Sequence, residues 1–355
     1  MKIIITAPSL DPSINVSGVS SVTSFIIDNN KNNKYIHIEL GKRDNERRSI
    51  KWFIRILSSF WSFSYLSLTK RIDIIHFNYA LSKPSIIRDT PFIFFARLIK
   101  CKMVMHFHGG EFLMHESPPK WINVCLKYIF SGNEVKIVLS DLEKEIIENK
   151  FKGNNLKVLS NCVDLQEAEE LTKQTNHTKV IKILFLGRIT LSKGIETIIE
   201  AIKIIKAKEI PIIFICAGKG PEEVYFIEQM SKILGSSFEY RGVLKGRDKV
   251  NVFKETDIFL LPSLFGEGLP MALLEAMSFG LVPIVTNDGS MKFVVANEMN
   301  GFIIGKGNYN ELVRKIIELN QKRDKLLTLG NSAKKYIFQN FNPEDYIKKL
   351  NEFYE

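Results

Sequence analysis

Two glutamates, Glu267 and Glu275, stand eight positions apart in the stretch DIFLLPSLFGEGLPMALLEAMSFG, which runs from Asp257 to Gly280. Ile258 to Leu261 is a short apolar run that fits a strand buried on both faces, and Pro262 and Ser263 stop it. The sequence predicts a helix from Gly268 to Phe279, with Pro270 in its first turn, strong helix formers from Met271 to Met277 and Gly280 at its end. At the helical rise per residue the two carboxylates would lie roughly 12 Å apart along the axis. At that distance they share neither a proton nor a metal ion. They could instead hold the two ends of one elongated ligand whose anionic middle lies over the helix N-terminus, where N–H groups and the macrodipole favour negative charge. A nucleotide sugar has that shape: hydroxyls on a sugar, a diphosphate, and hydroxyls on a ribose. Glutamates at this spacing also occur in ordinary solvated helices.

A second group lies upstream in FLGRITLSKGIETIIEAI. Gly187 allows a turn after a strand, Arg188 projects from the strand's carboxyl end, and Lys193 and Gly194 precede a helix. Two fixed cations beside a helix N-terminus form a diphosphate clamp that needs no metal. Taken alone, the same residues also fit a solvated surface.

The glutamate pair inside GEGLPMALLEAM resembles the signature of family 4 retaining glycosyltransferases of the GT-B fold, and the stretch from Arg188 to Lys193 closely matches that family's arginine-to-lysine segment. The resemblance covers most of residues 1–340, with its specific motifs between 187 and 280. It implies that Glu275 binds the ribose hydroxyls, and that Glu267 with the backbone of Gly268 and Leu269 holds the donor sugar. Arg188 and Lys193 would stabilise the leaving diphosphate. FICAGKGPEE, with Gly218, resembles the glycine-rich turn lining the nucleotide pocket beside Gly187. RGVLKGRDKVNVFKETD matches the segment whose backbone, around Val243 and Leu244, meets the base. Ser17-Gly18 stands where the family usually has two glycines, so Gly18 is the position expected near phosphate. After TNDG (Thr286 to Gly289) the family commonly continues to a glutamate. Here Lys292 stands at about that place, and donor contacts of that loop do not transfer.

MHFHGGEF puts His106 and His108 on one face of a strand. A His-x-His metal pair with His115 as third ligand lacks an accompanying carboxylate or cysteine cluster. The other readings are a strand-end histidine bonded to backbone, or, by the resemblance, His108 facing the donor sugar. No metal and no cofactor are expected; the nucleoside-diphosphate sugar is a substrate.

The elements that must position these groups alternate. Six predicted strands (near 2–7, 35–40, 73–77, 102–107, 136–139 and 156–159) are separated by helices near 19–29, 50–68, 86–100, 121–130 and 141–149. A polar stretch from Val163 to Lys179 reads as the connection to a second series, with strands at 182–186, 212–217, 238–241, 258–261 and 282–286 and helices near 194–208, 222–234, 247–255, 268–279 and 310–320. Residues 322–355 read as helical with a break at Pro343. Such alternation predicts parallel sheets covered on both faces. The expected fold is α/β: two Rossmann-like, doubly wound domains, 1–165 on the acceptor side and 166–340 for the nucleotide sugar, facing a cleft in the GT-B manner. The resemblance implies that 341–355 crosses back to the first domain.

The chain has 355 residues, enough for two cores, with 45% hydrophobic and 25% charged residues. It shows no apolar run long enough to span a bilayer, and with a strand expected from Lys2 and no charged n-region, apolar h-region and cleavage site, no signal peptide is evident. Cys101, Cys125, Cys162 and Cys216 have no close pairing and fit buried thiols in a reducing cytoplasm. Of the net charge of +10, residues 1–165 carry 23 Lys and Arg against 15 Asp and Glu, so the excess lies in the first half. It points to acidic partners. Residues 47–66, RRSIKWFIRILSSFWSFSYL, mix basic and aromatic residues at helical spacing. They fit either a solvated basic helix or one lying on an anionic membrane surface. No nucleic-acid motif accompanies them, and no nucleic-acid partner is expected.

The function expected from these signals is transfer of a hexose-type sugar from a UDP- or GDP-sugar to a saccharide acceptor, with retention, in lipopolysaccharide, O-antigen or capsule assembly. The acceptor would be lipid-linked and the enzyme cytoplasmic or peripheral on the inner membrane face. The alternatives are a nucleotide-sugar epimerase and a non-catalytic nucleotide-sugar-binding subunit. A dehydrogenase lacks support, since no Gly-x-Gly-x-x-Gly follows the first strand.

Overall fold

A computed structural model describes residues 1–11, 13–15, 17–44, 46–114, 117–169, 171 and 180–355. The chain divides into two compact units, Met1–Asn161 with Glu344–Glu355, and Cys162–Pro343.

In unit 1 the elements are β1 (Lys2–Ala7), α1 (Gly18–Asn29), β2 (Lys34–Glu39), α2 (Ile50–Thr69), β3 (Ile74–Tyr79), α3 (Lys83–Leu98), β4 (Met103–Phe107), α4 (Glu111–Met114), α5 (Lys120–Ser131), β5 (Val135–Val138), α6 (Asp141–Phe151) and β6 (Leu156–Val158). The strands form one parallel sheet in the order β2-β1-β3-β4-β5-β6. Runs such as IIHFNY and MVMHF are buried at every position, as strands covered on both faces require. Right-handed crossovers put α1 on one face and α2, α3 and α5 on the other, because the strand order reverses direction after β2. Phe60 and Phe63 of α2 meet Phe92 of α3 with ring centroids 5.1 and 5.3 Å apart, and Arg97 of α3 donates to Tyr128 O of α5 at 2.6 Å.

In unit 2, α7 (Gln166–Glu169) leads to β7 (Ile181–Leu186), α8 (Ile195–Ala207), β8 (Ile212–Ala217), α9 (Glu223–Leu234), β9 (Phe238–Tyr240), α10 (Gly246–Glu255), β10 (Ile258–Leu261), α11 (Met271–Ser278), β11 (Val282–Thr286), α12 (Met291–Val294), β12 (Phe302–Ile304), α13 (Tyr309–Gln321) and α14 (Arg323–Asn340). Its parallel sheet has the order β12-β11-β10-β7-β8-β9, the doubly wound arrangement in which direction reverses between β7 and β10. The edge strand β12 and the short helices α4, α7 and α12 are absent from the sequence reading. Each has only three or four residues, too few to display a period.

The last helix, α15 (Pro343–Tyr354), covers the α1 face of unit 1. Asn351 Oδ1 accepts from Asn30 and Asn33 at 2.8 and 2.9 Å, Phe25 meets Tyr346 edge-on at 6.0 Å, and the Tyr354 hydroxyl lies 2.6 Å from His76 Nδ1. Residues 172–179 of the expected interdomain connection lie outside the described residues.

Candidate active site

Gly187, Arg188, Lys193 and Glu267 lie where the sheet of unit 2 reverses direction, and Gly218, Val243 and Leu244 follow the next strands of the same sheet. β7 and β10 are neighbours, with Ile183 paired to Ile258 and Leu184 to Phe259. Their carboxyl ends deliver Gly187-Arg188 and Ser263 to Gly268 side by side, the place where open α/β sheets bind ligands.

Three loops are fastened together there. Residues Leu191–Lys193 form a single 3₁₀ turn, and Leu264 N–H donates to Ser192 O at 2.8 Å. The Lys193 ammonium then reaches Glu267 Oε1 at 2.5 Å, and Ser263 Oγ donates to the same oxygen at 2.5 Å. Glu267 is 5% exposed. No other described residue bonds its Oε2, so that oxygen is left to accept from a ligand hydroxyl. The third loop follows β11. Asp288 accepts Glu267 N–H on Oδ2 at 2.8 Å and Lys306 on Oδ1 at 2.5 Å, while Ser290 N–H donates to Gly268 O at 2.9 Å. Gly289 lies at φ +56°, and a Cβ there would stand 2.3 Å from Glu267 O, so a side chain would push the loops apart.

Arg188 is exposed at the end of β7. Beside it, Ile189 N–H bonds Lys219 O at 3.0 Å and Gly218 N–H bonds Gly242 O at 2.7 Å, joining the turns after β7, β8 and β9 into one edge. Gly218, at φ +137°, has room for hydrogen only, because a Cβ would meet Gly187 O at 1.8 Å. Tyr240 braces the β8 turn, donating to Gly218 O at 2.8 Å and lying 2.7 Å from Glu223. Val243 and Leu244 are half-buried in the loop between β9 and α10.

Two details differ from the sequence reading. The helix after β10 begins at Met271, with Pro270 as N-cap, rather than at Gly268. Glu267 therefore lies in a loop four residues before the helix, and the helical rise does not set its distance from Glu275. Pro270 explains the shift, since the residue before a proline is pushed out of the helical region. Leu269, before it, is buried. The helix closes as expected before Gly280, with Leu281 N–H on Ala276 O at 3.1 Å and Gly280 N–H on Met277 O at 2.9 Å. Glu275 has its own partner, Lys249 of α10, at 2.6 Å.

In unit 1, Gly18 opens α1 after Ser17, with nothing within 4 Å of where a Cβ would stand. His108 follows β4 and is held by Asn78 at the end of β3, Nε2 to Oδ1 at 2.7 Å. Asn78 spends its amide hydrogens on Thr6 O at 2.9 Å and Thr23 Oγ1 at 3.1 Å, so its oxygen faces the histidine. His108 thus donates from Nε2 and keeps Nδ1 as an acceptor. Desolvation lowers its pKa to about 3, and His76 likewise to about 3, so both rings are neutral at pH 7. His106, buried between them, is lowered well below its ordinary value. These rings are neighbours, with centroids 5.5 Å apart from His76 to His106 and 4.2 Å from His106 to His108. His115 lies outside the described residues. Among the described residues no group of three or more His, Cys, Asp or Glu could hold a metal ion.

Ser263 reads in sequence only as a residue that stops a strand, and Lys249, Asp288, Lys306 and Asn78 were not singled out. Asp288 and Lys249 lie inside segments that were, TNDG and RGVLKGRDKVNVFKETD, but their partners are 21 and 26 residues away and carry no local signal. Lys292, at the family's usual glutamate position, lies on α12 with its ammonium over the Phe293 ring at 5.2 Å.

Residues 167–336 match the family described as glycosyl transferases group 1. The chain is 28% identical over 320 residues to the UDP-Gal:alpha-D-GlcNAc-diphosphoundecaprenol alpha-1,3-galactosyltransferase of Escherichia coli, covering 85% of this chain and 80% of that protein. It is 22% identical over 303 residues to the amylovoran biosynthesis glycosyltransferase AmsK of Erwinia amylovora, covering 80% and 70%. Among solved structures, sucrose-phosphate synthase from Thermosynechococcus elongatus superposes with a TM-score of 0.80 at 16% identity, over 99% of this chain and 98% of that one. Anabaena HepE in complex with UDP and glucose gives 0.75 at 16% identity, over 99% and 98%. Residues 167–336 are therefore a glycosyl transferases group 1 domain, carried in a chain of the GT-B fold.

Proposed function

We propose that this glycosyltransferase moves a hexose from a UDP- or GDP-sugar to a lipid-linked saccharide, with retention and without a metal, in cell-envelope polysaccharide assembly. The observation that carries the reading is the buried Glu267, pinned on one oxygen by Lys193 and Ser263 at the carboxyl edge where the sheet reverses. Its second oxygen accepts a donor-sugar hydroxyl, with the backbone of Gly268 and Leu269 alongside. Arg188 and Lys193 stabilise the charge that grows on the departing diphosphate, the step where fixed cations act most strongly. Glu275, oriented by Lys249, takes the ribose hydroxyls, and the turns at Gly187, Gly218, Val243 and Leu244 line the nucleotide. For unit 1 we keep the roles the family resemblance implies: Gly18 near phosphate and a neutral His108 accepting from the donor sugar.

Retention would follow if the acceptor attacks on the face that the diphosphate leaves, its proton passing to a diphosphate oxygen. The pathway and the lipid-linked acceptor are supported by the relatives' names, a diphosphoundecaprenol-dependent galactosyltransferase and an amylovoran enzyme. Among the described residues no helix is long and apolar enough to cross a membrane. A peripheral place on the cytoplasmic face would bring such an acceptor to the enzyme.

Incubation with UDP- and GDP-hexoses and a diphosphate-lipid saccharide tests the reading. Nucleoside diphosphate should appear only when acceptor is present, chelator should leave the rate unchanged, and NMR should show the donor's anomeric configuration in the product. Interconversion of the sugar without acceptor would mark an epimerase, and binding without any turnover a non-catalytic subunit.

A further inference from the structure

α2 is apolar on both sides. Its inner side packs Phe60 and Phe63 against α3, and its outer side shows Ile50, Phe53, Leu57, Trp61, Tyr65 and Leu68 at intervals of three or four residues. Ile50 is 79% exposed and Trp61 67%. A helix apolar all round needs a second apolar environment. The neighbouring helices extend this face. α3 exposes Ile87, Phe94 and Leu98, α5 exposes Trp121 and Val124, and the Phe94 and Tyr128 rings lie 6.3 Å apart across the α3–α5 boundary. Twelve of the twenty exposed large apolar side chains among the described residues belong to these three helices, so the clustering is not a general surface property.

The charges on the same helices are of one sign. The only acidic residue in α2, α3 or α5 is Asp89, which is buried and paired to Arg88 at 2.5 Å. Lys51, Lys83, Lys120 and Lys127 are exposed, and Arg47 and Arg48 precede α2. We propose that α2, α3 and α5 together form a docking face for an anionic phospholipid bilayer, seated in the interfacial region with the aromatic and aliphatic side chains in the acyl boundary and the cations at the headgroups. A second copy of the chain is a poorer occupant, since pairing this face with itself would set cations against cations. The face lies wholly in unit 1, and the proposal does not depend on the donor chemistry.

The three tryptophans of the chain, Trp52, Trp61 and Trp121, all lie on α2 and α5, so intrinsic fluorescence reports on this face directly. The full chain should show a blue shift with vesicles of phosphatidylglycerol and phosphatidylcholine, and quenching when their acyl chains are brominated. Pure phosphatidylcholine should bind far more weakly, and added salt should release the protein. The double variant Trp61→Glu, Phe94→Glu should lose partitioning at least about tenfold while keeping its circular dichroism and melting temperature, because both side chains point outward. Three results would each overturn the proposal: no shift of the folded chain with anionic vesicles at low salt, undiminished binding of the double variant, or a lipid-free, concentration-dependent dimer in sedimentation that accounts for the fluorescence change.

Discussion

The two units share one plan, six parallel strands under helices, yet they place their polar chemistry differently. Unit 2 concentrates it at one sheet edge, where Lys193, Ser263, Glu267, Asp288 and Lys306 are tied together across loops that follow four different strands. Unit 1 buries His76 and His106 beside a half-buried His108, all three neutral, and turns an apolar, basic helix layer outward. The difference shows how little the fold alone fixes. The strand order sets where a site is convenient, and the loops and outer helix faces set what each unit does there.

The largest expected effect breaks unit 2 alone. Arg188→Ala should lower turnover about 10²–10³-fold, the size of losing one donor to a developing oxyanion, with both units still folded. Near-normal turnover would remove Arg188 from the diphosphate. Gly218→Ala comes next, because its Cβ must displace the Gly187 carbonyl. A loss of about 2–3 kcal/mol in unit 2 is expected by denaturant unfolding followed by circular dichroism, with tryptophan fluorescence, confined to unit 1, reporting little change. Unit 1 has the opposite weakness, to acid. His76 and His108 have folded pKa values of about 3 against an ordinary 6.5, so between these limits the unfolded chain binds more protons than the folded one. Stability should therefore fall as pH drops below about 6, by up to about 1.4 kcal/mol per unit and histidine. Tryptophan-monitored unfolding at pH 7 and pH 5 checks this, and an unchanged midpoint would contradict it. The smallest effect is Asn78→Ala, which frees the His108 tautomer. About 1 kcal/mol of lost positioning should slow turnover roughly fivefold and leave nucleotide affinity unchanged.

Much of this contrast was legible in the chain. Buried strands such as Ile258–Leu261 and Ile212–Ala217 appear at their predicted bounds, because a parallel sheet demands short unbroken apolar runs between turn residues. The Arg188–Lys193 and Glu267–Glu275 segments stood out by residue type and spacing. Sequence spacing failed where partners are distant. It started the helix at Gly268 and measured the Glu267–Glu275 distance by the helical rise, when Pro270 delays the helix to Met271 and a loop anchored by Asp288 holds the Glu267 carboxylate. It read basic and aromatic character in residues 47–66 but not the continuation over α3 and α5, because Phe94 and Trp121 join that face only once the helices pack.

The central claim is that the β7–β10 edge of unit 2 grips a nucleoside diphosphate sugar. Calorimetric titration of UDP- and GDP-hexoses into the wild-type chain and Glu267→Gln tests it most directly. The account predicts saturable binding of at least one donor to the wild type, clearly weakened in the variant, whose neutral amide loses the Lys193 ion pair and offers a hydroxyl a poorer acceptor. No binding of any donor, or equal affinity in the two proteins, would contradict it.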